Sequence, residues 1–341
     1  MAERSMQLPV MPGAAKEPYH AYHAEAYILK GELKQPIQQP IEPFGLVVLE
    51  NTRRESLITQ SVGETNIEGL ISFKRGHTRV AGTHVKQKTD LFGRDHAGWV
   101  TLSTAAVEGY NVVDVVTADR VVAQLTTEHP PTKDPKRPIA HVPWVNFIGT
   151  RFENLRIGGY PVEVELDLAF CGPRPGDDRP YLQDGGFLNR VQRQLDGIVD
   201  SRDLPESLEK EYGAEIAYID DLKKRAKGNK NDGCWNEASA KGYPKVRCSL
   251  VKKIKLPTPI PGVSTFGNAI FIRDFGTVYL AELEVGISQG HSDFRHRKSD
   301  PSSEPGDSNY FTLNMLDMRL GCPSVGNTSS PSAKSNGNSY P

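Results

Sequence analysis

The sequence predicts a mainly β protein: an antiparallel sandwich or barrel-like body that carries a two-helix insertion and ends in a disordered C-terminal tail. Short apolar or alternating runs recur along most of the 341 residues, and 31 Gly and 25 Pro separate them. Within 184–230 the apolar spacing becomes helical, which indicates the insertion. We therefore expect a flexible arm at 1–18, one β domain at 19–322 and a disordered tail at 323–341.

The first strands are expected shortly after the arm, which holds three prolines and no apolar period. The run AEAYILKGELKQPI places apolar residues among polar ones and predicts a strand broken at Gly31. The run FGLVVLE at 44–50 predicts a buried strand. IEGLISFKRG and HTRVAGTHV predict further strands at 67–76 and 77–85.

Residues 98–128 form the longest β-like stretch. Val100 and Leu102 alternate with polar residues, which predicts a half-buried strand. The valines of NVVDVVTADRVVAQLTTE also fit a helical stripe, but the density of β-branched residues favours a strand.

Two tight hairpins are predicted from their turns. In the first, alternating runs at 152–157 and 162–170 flank a Gly-Gly pair, which can adopt the positive φ that such turns require. In the second, Asp-Phe-Gly at 274–276 separates two apolar runs. The remaining β-like runs lie at 246–256 and 310–322.

The insertion predicts two amphipathic helices that pack on the β body or on each other. Asp184 stands where the first helix needs an N-cap, and a second helix is expected to start near Pro205. Basic residues at 223–227 suit the carboxyl end of that second helix. The apolar stripe of the first helix comprises Phe187, Val191, Leu195 and Ile198 or Val199. The stripe of the second comprises Leu204, Leu208, Tyr212, Ile216, Ile219 and Leu222.

Charge and hydropathy argue against several classes of protein. The 41 basic and 42 acidic residues give a net charge of −1, which offers no overall field to attract nucleic acid or an anionic membrane. No apolar run is long enough to span a bilayer, so we expect no membrane span. The N-terminus lacks the apolar core of a signal peptide, which predicts a cytoplasmic protein, with export by an unrecognised route as the alternative.

The four cysteines are expected to be reduced thiols, because a cytoplasmic compartment keeps them reduced. They include no C-x-x-C pair, so their spacing argues against zinc. Cys234 and Cys248 bracket a loop and would close as a disulfide if the protein were exported. The other two are Cys171 and Cys322.

The candidate metal ligands are His291, Asp293 and His296 in the run GHSDFRHR. Imidazole and carboxylate groups on a loop are common metal ligands, and loops often carry function. The alternative is a solvated loop with balanced charges, because no fourth ligand is specified. Asp177 and Asp178 suggest a second cation site, but the regular spacing of a calcium loop is missing.

Two other His-rich segments are interpreted as strand surface. His20 and His23 would face opposite sides of a strand, so they would not chelate one metal together. Basic residues alternate with His77, His84 and His96, but few aromatic residues interleave for stacking on nucleic acid. A solvated strand face is the favoured reading of this ribbon, and binding of an anionic polymer or polysaccharide is the alternative.

One region carries a family resemblance. The run TLSTAAVEGYNVVDVVTADRVVAQLTTEH is followed, after a proline-rich loop, by FIGTRFENLRIGGYPVEVE. Over 98–166 this resembles bacterial proteins of the choice-of-anchor type P family, which implies a β fold and an exported or surface-attached protein. The chain departs from that pattern because no signal peptide or anchor segment is recognisable. The matching positions are V-T-A-D at 116–119 and then Leu155, Ile157, Gly158, Pro161 and Val162.

No motif in the sequence names a reaction, since G-x-S-x-G, Walker A and G-x-G-x-x-G patterns are all missing. We therefore expect no cofactor and a non-enzymatic protein. It would act as a structural or assembling component, or as a binding module for a protein or glycan partner. The alternative is a hydrolase whose metal or carboxylate site is built from loops.

Overall fold

A computed structural model describes residues 19–35, 38–89, 95–133, 139–176, 179–227, 244–289, 307–321 and 325–340. Within these ranges the chain folds into two antiparallel β-sheets of ten strands each, a two-stranded sheet and two α-helices. The predicted mainly β class and two-helix insertion are therefore confirmed.

The chain begins in one sheet, here called the first sheet, builds the whole second sheet, and then returns to complete the first. The opening strands of the first sheet are β1 (Tyr19–Tyr27), β2 (Leu29–Gln35), β3 (Gln39–Phe44) and β4 (Val47–Thr52). The second sheet contains β5 (Ser56–Val62), β6 (Thr65–Ile67), β7 (Ile71–Phe73), β8 (Arg75–Thr89), β9 (Asp95–Val112), β10 (Val116–His129), β11 (Trp144–Asn146), β12 (Arg151–Glu153), β13 (Arg156–Ile157) and β14 (Tyr160–Pro161). The small sheet pairs β15 (Glu163–Leu166) with β17 (Val251–Lys255). The closing strands of the first sheet are β16 (Lys245–Ser249), β18 (Val263–Phe266), β19 (Ala269–Ile272), β20 (Gly276–Gln289), β21 (Asp307–Leu320) and β22 (Val325–Tyr340).

The two large sheets pack face to face as a sandwich. Strands β1, β21 and β22 of the first sheet contact β8, β9 and β10 of the second. Small residues allow this close approach: at Gly82 on β8, an added Cβ would lie 2.5 Å from the ring of Tyr22 on β1. Apolar side chains of both sheets and of the helices form the main core. A second, smaller cluster, which includes Tyr22 and Val80, fills the space between β1, β4, β8 and β9.

The C-terminal segment corrects the sequence prediction. We expected a disordered tail at 323–341, but the described part of it is β22, a strand in the middle of the first sheet. It pairs antiparallel with β1, from Tyr27 opposite Ser332 to Tyr19 opposite Tyr340, and with β21 on its other side. The prediction was wrong because it counted only apolar residues, whereas a central strand is also held by main-chain hydrogen bonds to both neighbours.

The composition of β22 suits its position between the sheets. Its inward side chains are small and hydroxyl-bearing, so they fit a narrow space, and Ser330 and Ser335 among them form hydrogen bonds there. Ser330 Oγ donates to the carbonyl of Ile28, and the hydroxyl oxygens of Ser335 and Thr127 lie 2.7 Å apart across the interface. A low apolar content here reflects tight packing rather than disorder.

A proline inside a central strand needs an explanation, since proline cannot donate to the ladder. Pro331 of β22 lies where β1 ends and β2 begins, and the registers with β1, β2 and β21 all skip it. The proline therefore lies at a gap in these ladders, where the partner strand on one side changes from β1 to β2.

The turn between β9 and β10 holds a strained residue. Val113 and Asp114 both have positive φ, of 43° and 57°, as a type I′ turn requires. Valine is poorly suited to this conformation, because its branched Cβ crowds the backbone. Asp114 is better suited and accepts a hydrogen bond of 2.7 Å from the side chain of Asn111.

We expect Val113→Asn to stabilise the protein by about 1 kcal/mol, because asparagine tolerates this backbone conformation. Val113 is 37% exposed, so the loss of apolar burial is small. Thermal unfolding monitored by circular dichroism measures the change. Val113→Thr is the matched control, since it keeps the branched Cβ and should gain nothing. If Val113→Asn melted below the wild type, the turn would not be strained.

The first predicted hairpin is confirmed in its turn and corrected in its extent. Gly158 and Gly159 have φ of 56° and 83° and connect β13 to β14. These strands are only two residues long, and the apolar run after them pairs with β17 instead. The second predicted hairpin connects β19 to β20, with Asp274 at φ 63°.

Both predicted helices are present. The first, α1, spans Gly185–Val199, and the Asp184 side chain accepts from the Phe187 N–H at 2.7 Å as the expected N-cap. The second, α2, spans Glu206–Lys227. Their apolar stripes pack on each other and on β16, so both are buried in the common core as predicted.

Candidate functional site

The residues proposed as metal ligands are not placed by the structure. His291, Asp293 and His296, together with Asp177 and Asp178, lie outside the described residues. Within the described ranges, no three His, Cys, Asp or Glu side chains come close enough together to hold a metal ion. The metal site and the loop-built hydrolase therefore stay predictions from the sequence.

The cysteines are described in part. Cys171 and Cys248 are buried free thiols, and Cys248 Sγ donates to the carbonyl of Leu283 at 3.4 Å. Burial raises the pKa of both thiols above the ordinary range, so neither is an activated nucleophile. Cys234, the partner considered for Cys248, lies outside the described residues, as does Cys322.

The histidines of β1 face opposite sides of the strand, as predicted. His20 points into the sandwich, where its ring lies 4.5 Å from that of His129, while His23 is on the outer side. Burial lowers the pKa of His20 well below its ordinary value, and His129 adds to this effect. A buried histidine whose neutral form is favoured in this way is typical of a structural core.

The basic ribbon follows β8. His77 and Arg79 are exposed on its outer side, and Arg75 pairs with Glu108 at 2.8 Å. His84 stacks on Trp99 at a centroid distance of 4.5 Å. This is the surface of a strand whose alternate residues are buried, which agrees with the reading of a solvated strand face.

A cluster of charged side chains lies between α2 and the outer side of the first sheet. Arg319 on β21 holds Glu211 on α2 with two hydrogen bonds, of 2.7 and 2.9 Å. Arg247 on β16 pairs with Glu211 at 2.9 Å and with Glu215 at 2.7 Å. The Tyr279 hydroxyl also donates to Glu211, at 3.3 Å. These bonds join the helix to three strands of the sheet.

Glu282 on β20 is the unusual member of this cluster. Burial first, and then the Asp317 carboxylate, raise its pKa to about 7, although Arg247 and Arg319 act in the opposite direction. By contrast, the bonds from Arg319 and Arg247 outweigh burial at Glu211 and lower the pKa of that carboxyl. A buried carboxyl with a pKa near neutrality is often an acid–base group.

The cavity beside Glu282 is too small for a substrate site. The adjoining cavity has a volume of about 20 Å³, which is room for roughly one water molecule. A substrate could not reach the carboxyl without moving α2. We conclude that the cluster fixes α2 on the sheet, and that Glu282 is a destabilising member of it at neutral pH.

The other candidate is an exposed sheet edge formed by β5, with the sequence SLITQSV. In the part of the chain that the structure describes, β5 pairs with β8 and has no strand on its other side. Five of its seven residues are exposed, including Leu57 at 59% and Ile58 at 39%. The strand therefore presents free main-chain N–H and C=O groups along its outer edge.

The other described sheet edges are short or protected. Strand β3 contains Pro40, Glu42 and Pro43, and β4 contains Glu50. Strand β16 is covered by the two helices. Edges formed by β6, β11, β12, β14 and β18 are two to four residues long, and both strands of the small sheet, β15 and β17, carry charged residues. Since prolines, charges and shortness are the usual means of blocking edge pairing, β5 is the edge without such protection among the described strands.

The sheet surface beside β5 extends its apolar character. Leu57 lies opposite Ala81 on β8, and Ala81 lies opposite Leu102 on β9. All three side chains are on the outer side of the second sheet and at least partly accessible. We call the strand and these neighbours the β5 edge. Sequence reasoning missed it, although SLITQSV, an uncharged β-branched run bounded by Arg53-Arg54-Glu55 and Gly63, is a recognisable strand signal.

Fold and site together define a β-sandwich protein with a helical insertion and an open edge on its second sheet. Comparison with family models identifies the family: residues 20–286 match DUF8256, a domain of unknown function, and the chain belongs to it. The match ends within β20, so β21 and β22 lie beyond it. No curated protein and no solved structure matches the chain. Neither described helix is long and apolar enough to cross a membrane.

Proposed function

We propose that this protein is a non-enzymatic structural or binding component that acts by adding a partner's β-strand to its β5 edge. The observation that carries the proposal is the seven-residue edge strand without proline or charge. In strand addition, main-chain hydrogen bonds give the affinity, and alternate side chains give the specificity.

The dimensions of the edge suit a strand partner. Seven residues span roughly 24 Å, long enough for a full partner strand. The side chains of Leu57, Thr59 and Ser61 point to one side of the sheet, and those of Ile58 and Gln60 point to the other. A partner strand therefore contacts a different row of side chains on each face of the sheet. The row on the outer side continues into Ala81 and Leu102, which adds apolar contact beyond the main chain. A protein strand fits these features better than a glycan does, because the site consists of free main chain and aliphatic groups.

The test measures strand binding directly with a fluorescent peptide whose sequence is that of residues 53–65. We expect saturable binding to the intact protein, seen as a rise in fluorescence anisotropy. The double variant Leu57→Lys/Thr59→Lys should bind at least about 10-fold more weakly, because charges on an edge oppose pairing. Both positions are exposed, so the variant should fold normally.

Ile148→Lys is the matched control, since Ile148 is 64% exposed but lies in the loop between β11 and β12. It should bind the peptide as the wild type does. Equal binding by the wild type and the double variant, with both folded by circular dichroism, would refute strand addition at β5.

A further inference from the structure

We infer that the partner at the β5 edge is the β5 strand of a second copy of this chain, paired antiparallel about a twofold axis through Thr59. This inference rests on the proposed function and names its partner. In the resulting dimer, the two second sheets join into one continuous sheet. Arg54 of each copy then lies opposite Glu64 of the other.

The geometry restricts the register. Leu57, Thr59 and Ser61 share the outer face of the second sheet, as their pairing with Ala81, Arg79 and His77 shows. A twofold axis perpendicular to the sheet keeps that face outward in both copies. Since opposite residues of an antiparallel pair lie on the same face, outer-face residues must then oppose outer-face residues. Only every second register meets this condition.

Among the allowed registers, the one centred on Thr59 uses the whole strand. It places Ser56 of one copy opposite Val62 of the other, so all seven residues of β5 are paired. Moving the centre to Ile58 or to Gln60 leaves five residues in each strand with partners. Main-chain hydrogen bonding therefore favours the Thr59 register.

Charge complementarity supports the same register. With Thr59 opposite itself, Arg54 faces Glu64 of the second copy, and the twofold axis repeats this pair at the other end. Both side chains are exposed, and neither has an ion pair among the described residues. With the centre at Ile58, Arg54 would instead face Val62, and with the centre at Gln60 it would face Asn66. The charges that flank β5 thus match only when every residue of the strand is paired.

The test exploits this twofold arrangement. Light scattering after size-exclusion chromatography should give the wild type a mass approaching twice the 37.6 kDa of one chain as its concentration rises. Arg54→Glu and Glu64→Arg should each raise the dimer dissociation constant at least about 10-fold, because each creates two like-charge pairs. Arg202→Glu, the same charge change at an exposed residue between the helices, should leave it unchanged.

Mixing the two single variants supplies the decisive result. In a mixed dimer, Glu at 54 faces Arg at 64, and Arg at 54 faces Glu at 64, so both pairs become complementary. We expect the equimolar mixture and the double variant R54E/E64R to recover the wild-type dissociation constant.

The outcomes separate this inference from the proposed function. A wild type that stays at 37.6 kDa at all concentrations while the peptide binds at β5 would overturn the second-copy partner and leave strand addition intact. A dimer that Leu57→Lys/Thr59→Lys dissociates, but that both charge variants leave unchanged, would overturn the Thr59 register. If none of these variants changed the dissociation constant of the dimer, the dimer would not form through β5. That result would overturn both the second copy as the partner at β5 and the Thr59 register.

Discussion

A chain that ends after Gly321 is expected not to fold, because it lacks β22. That strand pairs with β21 on one side and with β1 and β2 on the other, so its removal leaves three strands of the first sheet without a neighbour on one side. It also uncovers side chains of β9 and β10 on the facing sheet. Each main-chain group left buried without a partner costs about 1–3 kcal/mol, and the net stability of a domain is only about 5–15 kcal/mol. Far-UV circular dichroism and thermal melting of the purified chain measure the loss.

A control within the same strand distinguishes pairing from side-chain effects. Asn327 of β22 is exposed, so Asn327→Ala in the full-length chain should melt like the wild type. A peptide of residues 325–340 added to the truncated chain should restore the cooperative transition by strand addition. If the truncated chain alone melted within a few degrees of the wild type, β22 would contribute little to the sheet.

Glu282→Gln is expected to stabilise the protein at alkaline pH and to leave its stability unchanged in acid. Folding raises the pKa of this carboxyl from 4.5 to about 7, mainly through burial. Below pH 4.5 the carboxyl is neutral in both the folded and the unfolded chain. Between pH 4.5 and 7 the unfolded chain loses the proton and the folded chain keeps it, so stability falls as pH rises. Above pH 7 the penalty reaches about 3 kcal/mol.

Urea unfolding at pH 4 and pH 8 measures this difference. The wild type and Glu282→Gln should unfold at the same urea concentration at pH 4, and the variant should require more urea at pH 8. Glu206→Gln is the control, since Glu206 is exposed and bonded to Lys210 on the surface of α2. It should leave the difference between the two pH values unaltered. If Glu282→Gln were less stable than the wild type at pH 8, the charged carboxylate would be favoured in the fold.

The helices show what local sequence can predict. Their apolar residues recur every three or four positions, and a cap residue precedes the first helix. The segment itself therefore contains the information needed to predict its helices. The turns at 158–159 and 274–276 are local in the same sense. Strand β22 is not, because nothing within it reveals that β1, more than 300 residues earlier in the chain, will pair with it.

The two candidate sites also depend on contacts that local sequence does not show. The uncharged run of β5 is visible in the sequence, but its role as an edge depends on which strands pair elsewhere. The charged cluster joins Glu211, Arg247, Glu282 and Arg319, four residues spread over more than 100 positions. No spacing rule connects them, since the helix meets the sheet only in the folded chain. The raised pKa of Glu282 is therefore a property of the fold.

The return of the chain to its starting sheet affects how the protein folds during synthesis. Residues 56–161 contain every strand of the second sheet, so that sheet can assemble while later residues are still being made. The first sheet must wait, because β1 can pair with β4 early but finds its second neighbour only after β22 has left the ribosome. Contacts between residues so distant in sequence form slowly. Strands β1 and β2 thus stay without this partner while the intervening residues are synthesised, a period when the chain is exposed to aggregation.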